Sequence, residues 1–175
     1  MAIIPILAYP NSRLYQKAIQ VTDVHSDVVQ TMIKDMFETL AHTDNCAGLA
    51  ATQLDFASPF AITVLHDYSD DGSQPLCLIN PIIIASSGEQ REAEGCMSVY
   101  PDLCHERVKR AETITVTALT DKGDSITYTA NGYVAKLIQH EVDHLNGLLY
   151  LQRLSALKRQ RLDLKIAKAV LDRKA

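Results

Sequence analysis

The chain has 175 residues, 47% of them hydrophobic and 22% charged, with 7 Gly and 6 Pro. These proportions suit one domain over residues 1–175 with a sizeable core, and they exclude disordered, collagen-like and low-complexity polymers. No apolar run approaches the roughly 20 residues that span a bilayer, and the opening MAIIPILAYP lacks the basic start and full apolar stretch of an export signal, so a soluble cytoplasmic protein is expected. The net charge of −4 is uneven: residues 153–175 hold eight Lys and Arg against two Asp, which leaves the body acidic and directs any polyanion contact to the tail.

The first predicted element is a helix over 26–41. Val29, Met32, Ile33, Met36, Phe37 and Leu40 recur at three- and four-residue intervals behind Ser26, a good N-cap residue. The stretch 45–53 is dense in small side chains, which permits close backbone approach. Strands are expected over 60–66 and 77–85, separated by a turn-rich segment at 67–75. Two more, over 113–120 and 125–130, form a hairpin around Asp121-Lys122-Gly123-Asp124. A helix follows over 132–146, with Gly147 where a helix would stop, and Ser155 opens a last helix reaching about residue 173. Strands without alternating βαβ units point to an α+β fold with mainly antiparallel sheets packed around the 132–146 helix. The four cysteines, Cys46, Cys77, Cys96 and Cys104, are expected to be reduced thiols, with Cys46 and Cys77 buried and inert.

His140-Glu141-Val142-Asp143-His144 is an H-E-x-x-H sequence inside a segment that reads as helix on other grounds. Histidines at i and i+4 share one helical face and can ligate one metal, with the intervening Glu as a base beside it. A catalytic metal usually takes three protein ligands, so the third decides the class. Tyr150 stands where a metzincin would place its third His, and no Glu follows Glu141 as thermolysin-like enzymes require. Upstream, Glu94-Gly95-Cys96-Met97-Ser98 offers a thiolate beside a flexible Gly, while Cys104-His105 is a rival read mainly as structural or surface; spacing does not choose between them.

Three segments together resemble the peptide deformylases. Residues 46–53, Cys-Ala-Gly-Leu-Ala-Ala-Thr-Gln, are similar to the family's Gly-h-Gly-h-Ala-Ala-x-Gln, where h is apolar. Glu94 to Ser98 is similar to Glu-Gly-Cys-h-Ser, and Gln139 to His144 to Gln-His-Glu-h-Asp-His. The resemblance implies removal of the N-formyl group from the initiator methionine of nascent chains, with Cys96, His140 and His144 holding one divalent metal, Fe(II) in the cell and Zn, Ni or Co as isolated. It implies Glu141 as acid and base, and the Gln53 amide and Met97 backbone N–H as donors to the oxyanion. Gly48 and Gly95 would let the substrate backbone run alongside as an extra strand. Tyr133 and Leu137 would wall the methionine pocket.

The C-terminal helix over 153–175 is similar to that of Gram-negative members and implies docking to ribosomal RNA near the exit tunnel. Its apolar stripe is read as Leu157, Leu164, Ala167 and Leu171, and removal of the chain after about Gln152 is expected to spare turnover of a short formyl peptide. No membrane and no sequence-specific nucleic acid are implied as partners.

Three positions depart from the pattern. Cys46 replaces the first Gly, where a positive φ would be strained. Tyr100 intervenes between Val99 and Pro101. Lys136 enters an apolar wall and is expected to send its charged end to solvent. The alternatives are an H-E-x-x-H endopeptidase with another third ligand and an inactive homologue that binds ribosomes or nascent chains. The presence of Glu141 counts against the second.

Overall fold

The computed structural model describes residues 2–67 and 74–172. Helix α1 (Asp27–Ala41) starts at Ser26, whose hydroxyl donates to Asp23 O at 2.9 Å and makes no side-chain cap bond. A five-stranded antiparallel sheet runs in the order β1 (Gly48–Ala50), β2 (Ile62–Asp67), β3 (Gln74–Ser87), β6 (Thr113–Leu119), β7 (Ser125–Asn131). Between β3 and β6 in the chain lies a separate ribbon of β4 (Gln90–Glu94) and β5 (Glu106–Arg110). Residues 68–73, most of the expected turn, lie outside the described residues.

The sheet is covered on both faces at β2 and the first half of β3, which explains their apolar runs there, while Ile82 and Ile84 further along β3 are exposed. Ile62, Val64, Cys77 and Ile79 pack with Val29, Ile33 and Met36 of α1. The alternate residues Leu65 and Leu78 join Ile114, Val116, Val134, Leu137 and Ile138 on the other face. There lies α2 (Gly132–Leu145), ended by Asn146 and by Gly147 at φ +73°. A Cβ on Gly147 would stand 2.4 Å from Tyr15 O, so this stop also needs glycine for space.

Helix α3 (Ala156–Asp172) agrees with the expected last helix within the described residues, and Arg173 and Lys174 lie outside them. Its buried face is not the expected one. Leu162 and Ile166 are each 5% exposed, whereas Leu157, Leu164 and Leu171 are 58–68% exposed. The helix carries two apolar rows, and Leu162, Ile166 and Val170, spaced by four, are the row that meets Val99, Cys104, Tyr150 and the sulfur-bearing Cys96. That packing makes α3 part of the core as well as a carrier of exposed charge.

Candidate active site

Helix α2 directs His140, Glu141 and His144 inward, and all three are buried. The two Nε2 atoms stand 3.2 Å apart, as i, i+4 stacking requires. The turn after β4 brings Cys96 Sγ to 3.2 Å from His144 Nε2, and the three donor atoms all lie within 4.8 Å of one another. An ion about 2.0–2.1 Å from each nitrogen in tetrahedral geometry separates two such nitrogens by about 3.3 Å, so the group fits a single metal. Glu141 Oε2 and His144 Nδ1 are buried with no hydrogen-bond partner among the described residues. A carboxylate oxygen left in that state beside three donors has its partner in what occupies the cleft.

Electrostatics separate the two imidazoles. His144 is driven well below the ordinary range by burial and by the charges of His140 and Arg110, leaving it neutral as a ligand must be. Burial also opposes charge on His140, but Cys96 and Glu94 beside it raise it well above the ordinary range. Burial lifts Glu141 to about 7, within reach of a base that must accept and return a proton near neutrality.

The cleft above this group has a volume of about 530 Å³ and is also lined by Gln53, Met97, Gly48 and Gly95. Ala50 N–H donates to Gln53 Oε1 at 2.8 Å, which fixes the amide so that Nε2 faces Cys96 Sγ at 3.6 Å and Ser98 Oγ at 3.4 Å. The short helical turn at Ala51–Gln53 holds that orientation. A Cβ on Gly48 would stand 3.2 Å from Glu141 Oε1 and 3.3 Å from Leu137 Cδ1; one on Gly95 would stand 2.5 Å from His105 Nε2. Leu137 is buried in the wall and Tyr133 is 49% exposed at its outer end.

The rivals fall elsewhere. Cys104 is buried below the cleft, outside the donor group, and His105 sits on the rim. Tyr150 stacks near His140 with 6.2 Å between ring centroids and donates to Cys104 O at 3.2 Å. Residues 3–160 match the family model described as Polypeptide deformylase. The chain belongs to the peptide deformylase family.

Peptide deformylase 1 of Coxiella burnetii is 50% identical over 163 residues, covering 93% of this chain and 94% of that protein. Peptide deformylase 1 of Shewanella oneidensis is 43% identical over 169 residues, covering 97% and 96%. The crystal structure of a peptide deformylase from Legionella pneumophila superposes with a TM-score of 0.86 at 36% identity, over 99% of this chain and 98% of the other. That of Ehrlichia chaffeensis peptide deformylase in complex with actinonin gives 0.85 at 32%, over 97% and 98%. This deformylase is a hydrolase of protein biosynthesis that removes the formyl group from nascent peptides, and neither the endopeptidase nor the inactive homologue is favoured. Its Cys/His/His group is suited to one divalent metal. No helix among the described residues is long and apolar enough to cross a membrane.

The three departures resolve into local structure. The positive φ falls on Asn45 at 56°, so Cys46 escapes the expected strain; its thiol donates to Gly48 O at 3.2 Å and burial pushes it to about 12. Burial does the same to Cys77. Tyr100 absorbs the extra residue by adopting φ 44°. Lys136 does not release its charged end to solvent alone: Nζ donates to Ala93 O at 3.1 Å and lies 4.9 Å from the Tyr133 ring centroid.

Sequence reasoning missed the charge chain behind the donors. His140 Nδ1 meets Glu94 Oε2 at 3.0 Å, and Arg110 holds both oxygens of Glu94 at 2.7 and 2.9 Å. Arg110 also reaches Asp143, which Arg153 clasps from outside. Glu94 and Asp143 stood inside the quoted motifs; nothing in the chain pattern marked Arg110, which lies in a strand that composition hid. Thr52 adds a hydroxyl bond to His144 O at 2.8 Å.

Proposed function

We propose that Cys96, His140 and His144 hold the ion, Fe(II) in the cell with Zn, Ni or Co acceptable as isolated, and that residues 1–175 work as one catalytic domain in the cytoplasm. The convergence of three buried donors with Glu141 at the floor of one cleft carries this reading. A softer ferrous or zinc ion suits a thiolate among its ligands. Bound there, the ion supplies Lewis acidity that makes a water nucleophilic at neutral pH.

Glu141 takes the proton of the attacking water and later delivers it to the departing amine, so that the formamide C–N bond breaks to formate and a free N terminus. The Gln53 amide, turned towards the cleft by Ala50, and the Met97 backbone N–H stabilise the oxyanion. Glu94 orients His140 through Nδ1 and keeps Nε2 available. Gly48 and Gly95 leave both walls bare for an extended substrate backbone, while Leu137 and Tyr133 line the first side chain's path.

The test is deformylation of a formyl-Met peptide by protein purified without oxygen, with metal content measured in parallel. One bound divalent ion and release of formate are expected; internal peptide cleavage or no formate from metal-loaded protein would defeat the reading.

We further propose that α3 docks on ribosomal RNA through exposed Arg159, Arg161 and Lys168. Phosphate contacts make this binding weaken steeply with salt. Because α3 also closes the core, charge reversal at Arg161 and Lys168 is the proper probe, and ribosome co-sedimentation unchanged by it would exclude the contact.

A further inference from the structure

Lys136 is out of keeping with the wall it occupies. It precedes His140 by four positions and Leu137 follows it, so the wall rising from the donor group along α2 is Leu137, Lys136 and, one turn further, Tyr133. The lysine stem continues the apolar surface, and its ammonium is tethered at the far end, 3.1 Å from Ala93 O and over the Tyr133 ring. No described carboxylate forms an ion pair with it. An ammonium has three N–H donors, and the Ala93 carbonyl takes one.

The wall beside the donor group therefore offers apolar atoms together with a tethered ammonium that has N–H donors beyond the one Ala93 takes. A pocket of hydrocarbon alone would strip water from a polar side-chain terminus and return nothing. This one returns a charge-assisted hydrogen bond. The same cleft is lined by Asp44, Asp102 and Glu141, which disfavours a carboxylate and leaves a neutral, strongly dipolar acceptor as the matching group.

We propose that Lys136 widens the substrate class to formyl peptides whose first side chain ends in a neutral acceptor, methionine sulfoxide being the one with methionine's own length and shape. The proposal rests on the deformylase reading of the cleft. The reaction itself is unchanged: the formamide C–N bond is hydrolysed to formate and the amine, and the sulfoxide is only bound.

Metal-loaded enzyme is assayed on formyl-Met, formyl-Met sulfoxide and formyl-norleucine versions of one tripeptide, in the wild type, Lys136→Met and Lys136→Arg. The readout is the ratio of kcat/KM for the sulfoxide to that for methionine. Loss of one hydrogen bond from a charged donor should lower this ratio about tenfold in Lys136→Met, mainly through KM. Lys136→Arg should restore most of it, and the norleucine-to-methionine ratio should not follow the change. A sulfoxide ratio equal in wild type and Lys136→Met overturns the proposal, as does a wild type that turns over the sulfoxide no better than that variant does. Failure of the wild type on formyl-Met itself would instead sink the deformylase reading.

Discussion

Glu141 and Gln53 share a cleft but differ in what their removal should do. Glu141→Gln keeps shape and loses the ability to accept and return a proton, so metal content should persist while formate release nearly stops; retained turnover would move the acid and base role elsewhere. On the proposed mechanism, Gln53→Ala deletes a donor that matters most when negative charge develops. Its kcat should fall by about 10²–10³, equivalent to about 2.7–4 kcal/mol, with a smaller change in KM, and a change confined to KM would make Gln53 a ground-state contact. Glu141 was readable from the chain because its chemistry is local, H-E-x-x-H encoding its own geometry through the helical repeat, whereas Gln53 came only from the resemblance of residues 46–53 to the family's motif. Cys96 was not selectable by spacing alone, since its approach to His144 depends on where the β4 turn lies in space.

Strand β5 shows what an element adds that its residues do not announce. Glu106–Arg110 is charged at four of five positions, and β4 is nearly as polar, so neither offers the alternation that exposes a strand in sequence. Their ribbon nevertheless places Arg110 wholly inside, between Glu94 and Asp143. Arg110→Met leaves those carboxylates without their buried cation and should cost about 3–5 kcal/mol in urea unfolding. Glu94 adds a pH dependence. Burial opposes its charge, but Arg110 and His140 hold it at about 2 against an ordinary 4.5. A depressed carboxylate contributes fully above its unfolded value and loses that contribution as pH falls towards its folded one. The urea-midpoint gap between wild type and Glu94→Gln should therefore narrow from about pH 5 to about pH 3. A gap that stays constant would remove Glu94 from the charge chain. By contrast, α1, α2 and the β6–β7 hairpin were legible because their apolar periodicity and turn residues agree with the burial they meet.

Across the whole molecule, α3 and the donor group lean on one cluster of side chains, in which Leu162 and Ile166 pack with Cys96, Val99 and Cys104. The sequence reads as one apolar stripe through Leu157, Leu164, Ala167 and Leu171, and the row the rest of the chain covers is the other one, because pattern alone does not say which row meets a partner surface. Ile166→Ala should cost about 2–5 kcal/mol. Truncation after Gln152 should lower both stability and metal retention, and a truncated protein as stable as the full chain would show the helix to be an appendage. The order of synthesis gives this packing a further meaning. Translation completes Cys96, His140 and His144 before residue 162 exists, so a growing copy has its donors in hand while the wall behind Cys96 is still unmade. The cluster around Cys96 therefore closes only once residues 162–166 have emerged.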